Sequence, residues 1–227
     1  MKNSTLIAGI LLMGVCTGFA QTSEPIPTKQ SLTNQTTPIA IPTDQLKAHI
    51  RQLWEDRVTL TRNVILSEVD NEPGIDDDVT RMKANQVELG NAIKAYYGDY
   101  NGKQFTKLLN ENITIGADLM IAARRGHTTA FDNAEMKWKQ NANAICMFLN
   151  EVNPFWKVND MRAMMYGQIL YAADEITALK NNDPQAEEQA YTKAYFTTMT
   201  LADMFSDGII MQFPQRFQDF TISIGMR

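Results

Sequence analysis

Three polar side chains interrupt the apolar stripes of predicted helices at nearly equal spacing along the chain. Arg57 falls between Leu53 and Leu60, and Asn112 and Gln168 follow it in steps of about 56 residues. A buried polar group must be hydrogen-bonded, and a buried charge must be paired. These positions therefore predict an internal network of polar side chains inside an otherwise apolar core.

Glu175 is the acid that such a network would use. It follows Gln168 by seven residues, which places both on one face of a helix. We expect the Arg57 guanidinium to be linked to Glu175, directly or through amide side chains, because a buried guanidinium needs an acceptor. Gln86 and Asn141 interrupt the apolar faces of neighbouring helices in the same way. The candidate site residues are Arg57, Gln86, Asn112, Asn141, Gln168 and Glu175.

Three functions are open to a network of this kind. It could fix the register of the helices, line a small internal pocket, or place Glu175 as an acid or base beside Arg57. We favour a non-catalytic binding or structural module, with no residue assigned as catalytic and with the small-molecule or protein partner left open. The alternative is a small hydrolase- or transferase-like enzyme that uses Glu175 in an internal pocket.

Several kinds of site are excluded by the residues that the chain lacks. Its two histidines, His49 and His127, do not form the Glu-x-x-His pairs of a di-iron bundle. Cysteine and histidine ligands are too few for zinc, and neither a glycine-rich phosphate loop nor a Gly-x-Ser-x-Gly elbow occurs. The net charge of −5 argues against nucleic acid as a partner. We therefore expect no metal and no cofactor.

Apolar residues recur every three or four positions in six segments, which predicts an all-α fold without a sheet. Asn85, Asn141 and Thr197 occupy corresponding positions about 56 residues apart, so the six helices are expected to form a bundle of three hairpins with a possible internal repeat of about 56 residues. The alternative is a chance match among similar hairpins. The predicted helices span about 43–70, 76–97, 103–124, 128–151, 159–180 and 183–206.

The two ends of the chain differ from the helical part. Residues 1–20 combine a charged start, a short apolar run and a small-residue site ending at Ala20, which predicts a cleaved signal peptide and a periplasmic or secreted protein. The alternatives are a retained anchor and a lipidated Cys16. Residues 21–43 are rich in Pro, Ser, Thr and Gln and predict a disordered linker. The helical domain is expected over 44–220, with a short tail at 221–227 and no membrane span after cleavage.

Short motifs follow one another along about 50–217. They are Leu53-Trp54-x-Asp56 with Thr61-Arg62, Asn85-Gln86 with Gly90-Asn91-Ala92-Ile93 and Tyr97-Gly98, Trp138-x-x-Asn141-Ala142, Asn153-Pro154-x-Trp156, Ala202-Asp203, and Gly208-Ile209 with Gln212-Phe213-Pro214-x-x-Phe217. In order and spacing they resemble a family of exported, all-helical bacterial proteins with no established function. The resemblance implies the same fold and export here. That family usually has histidine at the positions of Arg57, Asn112 and Gln168, where three histidines could hold a metal, and this chain has none of the three.

Overall fold

Five α-helices make up most of residues 40–70 and 75–218, the part of the chain that the computed structural model describes. The all-α prediction is confirmed. Local sequence sets the start of the last helix: Asp183 Oδ1 accepts a hydrogen bond from the Ala186 amide at 3.0 Å, and Pro184 takes the first helical position behind it. The helices are α1 (Thr43–Asp70), α2 (Ile75–Arg125), α3 (Thr128–Val152), α4 (Val158–Lys180) and α5 (Pro184–Gln212).

Two of the six predicted helices fall within α2. Gly98 has φ 84° and ψ 169°, which interrupts the helical backbone between the two predicted segments. Thr106 Oγ1 nevertheless lies 3.3 Å from the Gln86 carbonyl oxygen, a partner twenty residues earlier. A straight helix would hold these residues about 30 Å apart. The chain therefore reverses at Gly98, and the described structure has five helices where the sequence predicted six.

The helices close around one core. α1 packs against α2 and α5, α3 packs against α2 and α4, and α4 packs against α5. Each helix thus has a neighbour on either side and turns its apolar stripe inward. The largest fully buried side chains of this core include Trp54, Leu89, Phe105, Ile145, Trp156 and Phe205.

The described chain begins with a short strand that the sequence did not predict. Ile41–Pro42 forms β1, which pairs in parallel with β2 (Phe217–Gln218) after the last helix. The Phe217 ring stacks on Tyr96 at 5.9 Å, so β2 lies against α2. The prediction of no sheet is therefore wrong for this two-residue pair, which also includes the end of the predicted 21–43 linker. Residues 21–39 of that linker, the predicted signal peptide 1–20 and the tail 221–227 lie outside the described residues.

No helix within residues 40–70 and 75–218 has the length and apolar character that a membrane crossing requires.

Candidate functional site

Arg57 of α1 lies in a chain of buried amide side chains. Its guanidinium donates to Gln86 Oε1 and, at 2.8 Å, to Asn112 Oδ1. Asn112 Nδ2 in turn donates to Asn141 Oδ1 at 2.9 Å, and Gln86 Nε2 donates to the Met82 carbonyl oxygen at 2.9 Å. We call Arg57, Gln86, Asn112 and Asn141 the amide network. The structure thus brings together four of the six candidate residues.

The positive charge of Arg57 is not balanced by a carboxylate in the described part of the chain. Its side-chain hydrogen bonds go to neutral amides, and the Trp54 ring, 6.0 Å from Cζ, offers only a weak cation–π contact. Burial lowers the pKa of the guanidinium to about 10, which leaves it protonated at neutral pH. Arg57 is only 7% exposed. A buried and uncompensated charge is costly, and packing alone does not explain its presence.

Glu175 of α4 does not pair with Arg57, so the predicted link between them is wrong. Its ionic partner is Arg62, whose Nε lies 3.8 Å from Glu175 Oε1. Arg62 also contacts Glu187 at 2.5 Å and Glu188 at 3.5 Å. Glu175 is near the turn between α4 and α5, at the level that Arg62 reaches along α1, whereas Arg57 lies more than one turn earlier. We call Arg62, Glu175, Glu187 and Glu188 the acidic cluster.

The acidic cluster leaves Glu175 poorly solvated. Its side chain is 3% exposed, and Oε1 accepts no hydrogen bond. Burial raises the pKa of Glu175 to about 7; Arg62 opposes the shift, and the charges of Glu187 and Glu188 add to it. Near neutral pH this carboxyl group can therefore exchange a proton.

Gln168 belongs to neither set. Its Nε2 donates to Thr198 Oγ1 of α5 at 3.2 Å, and Thr198 donates onward to the Ala194 carbonyl oxygen at 2.8 Å. The single polar network that the sequence predicted is therefore three separate sets of bonds. The reason is geometric: the helical stripe tells which face a residue occupies but not the level at which neighbouring helices meet it.

A small cavity nevertheless joins the three sets. Its volume is about 40 Å³, and Arg57, Asn112, Gln168 and Glu175 all line it. This is room for a few water molecules at most. Trp138 of α3 also lines this first cavity, and its buried Nε1–H has no acceptor. The walls thus offer a cation, a carboxyl group and a free indole donor to whatever enters.

A larger apolar cavity lies beside the first one. Its volume is about 250 Å³, and it shares Arg57, Thr61, Asn112, Trp138 and Ala172 with the first. Most of its remaining wall is aliphatic, and no Asp or Glu lines it. These apolar wall residues include Val64, Ile65, Met82, Ile113, Met120 and Ile176. We call the two adjoining cavities the cleft.

Sequence reasoning missed the roles of two residues: Trp138, which lines both cavities, and Arg62, which pairs with Glu175. Trp138 appeared only within the motif Trp138-x-x-Asn141-Ala142, since a sequence does not show whether an indole N–H finds an acceptor. Arg62 stands in one of the family-like motifs but off the stripe of α1, and its three carboxylate partners come from α4 and α5. Nothing in the sequence indicated the apolar cavity, because a gap between side chains arises from the way they pack in the folded structure.

The chemistry available in the described residues is limited. No group of three or more His, Cys, Asp or Glu residues in residues 40–70 and 75–218 is placed to hold a metal ion. Cys146 is buried, and burial raises the pKa of its thiol to about 11, so it is a poor nucleophile at neutral pH. The arrangement can bind a small molecule, and Glu175 can carry a proton.

Comparison with known proteins leaves the motif resemblance as a prediction. The chain matches no protein-family model, no curated protein and no solved structure.

Proposed function

We propose that this protein is a non-catalytic binding module that takes up a small molecule in the cleft. The observation that carries the proposal is the junction of the two cavities at Arg57 and Asn112, where polar groups meet an apolar cavity of about 250 Å³. Binding sites for small molecules are mostly apolar concavities with a few fixed polar groups. The cleft has this composition.

The amide network suits a binding role because it fixes Arg57 without neutralising it. Gln86 and Asn112 accept from the guanidinium, and their own amide groups are held by Met82 O and Asn141 Oδ1. A side chain fixed before binding loses little conformational entropy when the ligand arrives. A network that served only to set helix register would not need a cavity beside Arg57 and Asn112.

We also propose the finer architecture of three helical hairpins, six helices in all. Three polar pairs recur at related positions: Arg57 with Gln86, Asn112 with Asn141, and Gln168 with Thr198. A second bond recurs as well, since Asn85 donates to Leu53 O at 2.9 Å and Asn141 donates to Leu108 O at 3.1 Å. Recurring bonds support a repeat of about 56 residues more strongly than matching letters do.

Export remains part of the proposal. The charged start, the short apolar run and the small residues before Gln21 support cleavage after Ala20 and a periplasmic or secreted location. Mass spectrometry of protein recovered from the native cell should give Gln21 as the first residue. A mature protein that begins at Met1 or at a lipidated Cys16 would contradict it.

An enzymatic role for Glu175 is the second candidate. Its raised pKa and its Oε1 without a donor favour it as an acid or base facing the first cavity. That cavity, at about 40 Å³, holds water but little of a substrate. The two candidates differ in one variant: Glu175→Gln should leave ligand uptake intact in a binding module and abolish turnover in an enzyme.

The binding proposal is tested with protein labelled at the methionine methyl groups with ¹³C and titrated with 1-octanol, an uncharged probe. Met82 and Met120 line the second cavity, so their methyl signals should shift and saturate. Met136, Met147 and Met211 are exposed and serve as internal controls that should stay in place. Unchanged Met82 and Met120 signals up to the solubility limit of octanol would overturn the proposal.

A further inference from the structure

The charges that line the second cavity are all positive. Arg57 lies where the two cavities meet, and Lys83 lines the second cavity as an exposed side chain. No Asp or Glu is part of this wall; Glu175 lines the first cavity alone. An anionic group seated here would meet two cations and no fixed negative charge, whereas a cationic group would be repelled.

Hydrogen-bond donors are also in excess beside Arg57. A guanidinium has five N–H donors, and two of them serve Gln86 and Asn112. Trp138 Nε1 adds a buried donor without an acceptor, and its side chain lines both cavities. A carboxylate matches these donors, because its two oxygens can accept from the guanidinium and have lone pairs left for the indole N–H.

The rest of the second cavity determines the size and the polarity of the remainder of the ligand, which we call its body. An apolar cavity of about 150 Å³ takes up benzene, so one of this size suits about ten non-hydrogen atoms. The wall beyond Arg57 offers Val64, Ile65, Met82 and Ile113 to an aliphatic or aromatic body. A second charge at the far end of the ligand would lose its solvation there without a partner.

We infer that the cleft binds an apolar monocarboxylate, with its carboxylate on Arg57 and Trp138 and its hydrocarbon body in the second cavity. The inference rests on the proposed binding function and names the ligand class. It also accounts for the uncompensated charge of Arg57, for which the ligand supplies the missing anion. The anion and the body are both required, so inorganic anions and uncharged hydrocarbons each satisfy half of the site.

The test compares three probes with the same body: octanoate, 1-octanol and octylammonium. Calorimetric titration of the wild-type protein at neutral pH should give octanoate at least tenfold tighter binding than octanol, with octylammonium weakest. The methyl signals of Met82 and Met120 report whether the probe occupies the second cavity. No variant is needed for this comparison, so a failure of any variant to fold does not affect it.

Two variants and one matched control locate the interaction. Arg57→Met should reduce the preference for octanoate over octanol to below threefold, whereas Arg81→Met, which removes the same charge from an exposed side chain outside both cavities, should preserve it. Ala117→Phe, which fills the second cavity, should weaken both probes at least tenfold. The circular dichroism spectrum of each variant checks its helical fold.

The outcomes separate the inference from the function on which it rests. Equal affinity for octanoate and octanol, with shifts at Met82 and Met120, would overturn the carboxylate class and keep the binding module. Octanoate binding that is insensitive to Ala117→Phe would place the probe elsewhere and overturn the inference. Failure of all three probes, with silent Met82 and Met120 signals, would overturn both.

Discussion

Two parts of the core, an aromatic cluster and the cleft, differ in whether their buried polar atoms have hydrogen-bond partners. We call Tyr97, Phe105, Trp156, Phe205 and Phe213 the aromatic cluster. In it, Trp156 Nε1 donates to the Phe205 carbonyl oxygen at 3.1 Å, and their rings stack at 4.4 Å. The Tyr97 hydroxyl donates to Gln212 at 3.0 Å and accepts from Asn153 at 2.9 Å. The rings of the aromatic cluster are thus packed against one another, and the polar atoms of Trp156 and Tyr97 are hydrogen-bonded.

In the cleft, the side chains leave cavities between them, and several buried polar atoms have no partner. Trp138 Nε1 and Glu175 Oε1 are buried without hydrogen-bond partners, and Arg57 is buried without a counter-charge. Trp54 Nε1 is also unpaired, but Trp54 lines neither cavity and its ring contacts Phe205 at 5.9 Å. Unsatisfied buried groups usually cost 1–3 kcal/mol each, roughly. The comparison teaches that the aromatic cluster is where the fold gains stability, whereas the cleft gives some of it up at the place where two cavities lie.

The largest effect is expected in the aromatic cluster, from Gly208→Ala. A Cβ at this position would lie 2.1 Å from Trp156 Nε1 and 2.4 Å from Cδ1 of the same fully buried ring. The ring is stacked on Phe205 and has no space to withdraw into, so the variant should lose about 4 kcal/mol of unfolding free energy. Denaturation in urea measures the loss.

Gly167→Ala is the matched control for this prediction. Its added Cβ would meet Tyr171 and Thr197 at 3.4 and 3.5 Å, which is ordinary contact. Alanine is the better helix former, so this variant should be neutral or more stable by up to about 1 kcal/mol. Equal stability of the two alanine variants would show that the aromatic cluster is no more tightly packed than the rest of the bundle.

The second effect is a pH dependence that belongs to the cleft. Because the pKa of Glu175 is raised from 4.5 to about 7 in the folded state, the folded protein binds a proton more tightly than the unfolded chain does. This group therefore imposes no penalty below about pH 4.5. The penalty grows as the pH rises from 4.5 to 7 and is constant above that. Its full size should be about 3 kcal/mol.

Glu175→Gln isolates this dependence, because the variant keeps the shape of the side chain and cannot titrate there. The unfolding free energy of the wild type minus that of the variant should fall between pH 4.5 and 7. Arg62, Glu187 and Glu188 remain in both proteins, so the difference between the two curves reports on Glu175. A difference that stays flat, or that rises with pH, would mean that Arg62 neutralises Glu175 and that the carboxyl group is satisfied.

The sequence goes far in predicting which residues meet and less far in predicting what they do together. Arg57, Gln86, Asn112 and Asn141 stand out as polar residues on apolar faces, and the structure joins all four by hydrogen bonds. The predicted partner of Glu175 was wrong because helical periodicity gives only the face on which a residue lies. Pairing across helices depends on the relative axial positions of the two helices. At Gly98, by contrast, the non-helical backbone lies in the gap that the sequence predicted between two helical segments.

The third effect, from Arg57→Met, tests how independent the two buried charges are. The substitution leaves Gln86 Oε1 and Asn112 Oδ1 without their donor and also removes an uncompensated charge. The two changes oppose each other, so the net loss of unfolding free energy should be about 2 kcal/mol.

Arg57 is not among the groups that shift the pKa of Glu175. The double variant with Glu175→Gln should therefore be additive within about 0.5 kcal/mol, by urea denaturation at pH 7. A coupling above about 1 kcal/mol would restore the direct link that the structure does not show.

The smallest effect is expected from Gln168→Met, at the third polar pair. Thr198 loses one donor, Gln168 Nε2, but keeps its own bond to the Ala194 carbonyl oxygen. Gln168 is half-buried, and methionine preserves its length, so the loss should be about 0.5–1 kcal/mol. The effect should be additive with Arg57→Met, since no hydrogen bond joins Gln168 to the amide network in the described structure. Thermal or urea unfolding of both single variants and of the double variant gives the coupling directly. A large coupling would mean that water in the first cavity joins the polar sets into one unit, and the contrast with the aromatic cluster would then be smaller than the protein atoms alone indicate.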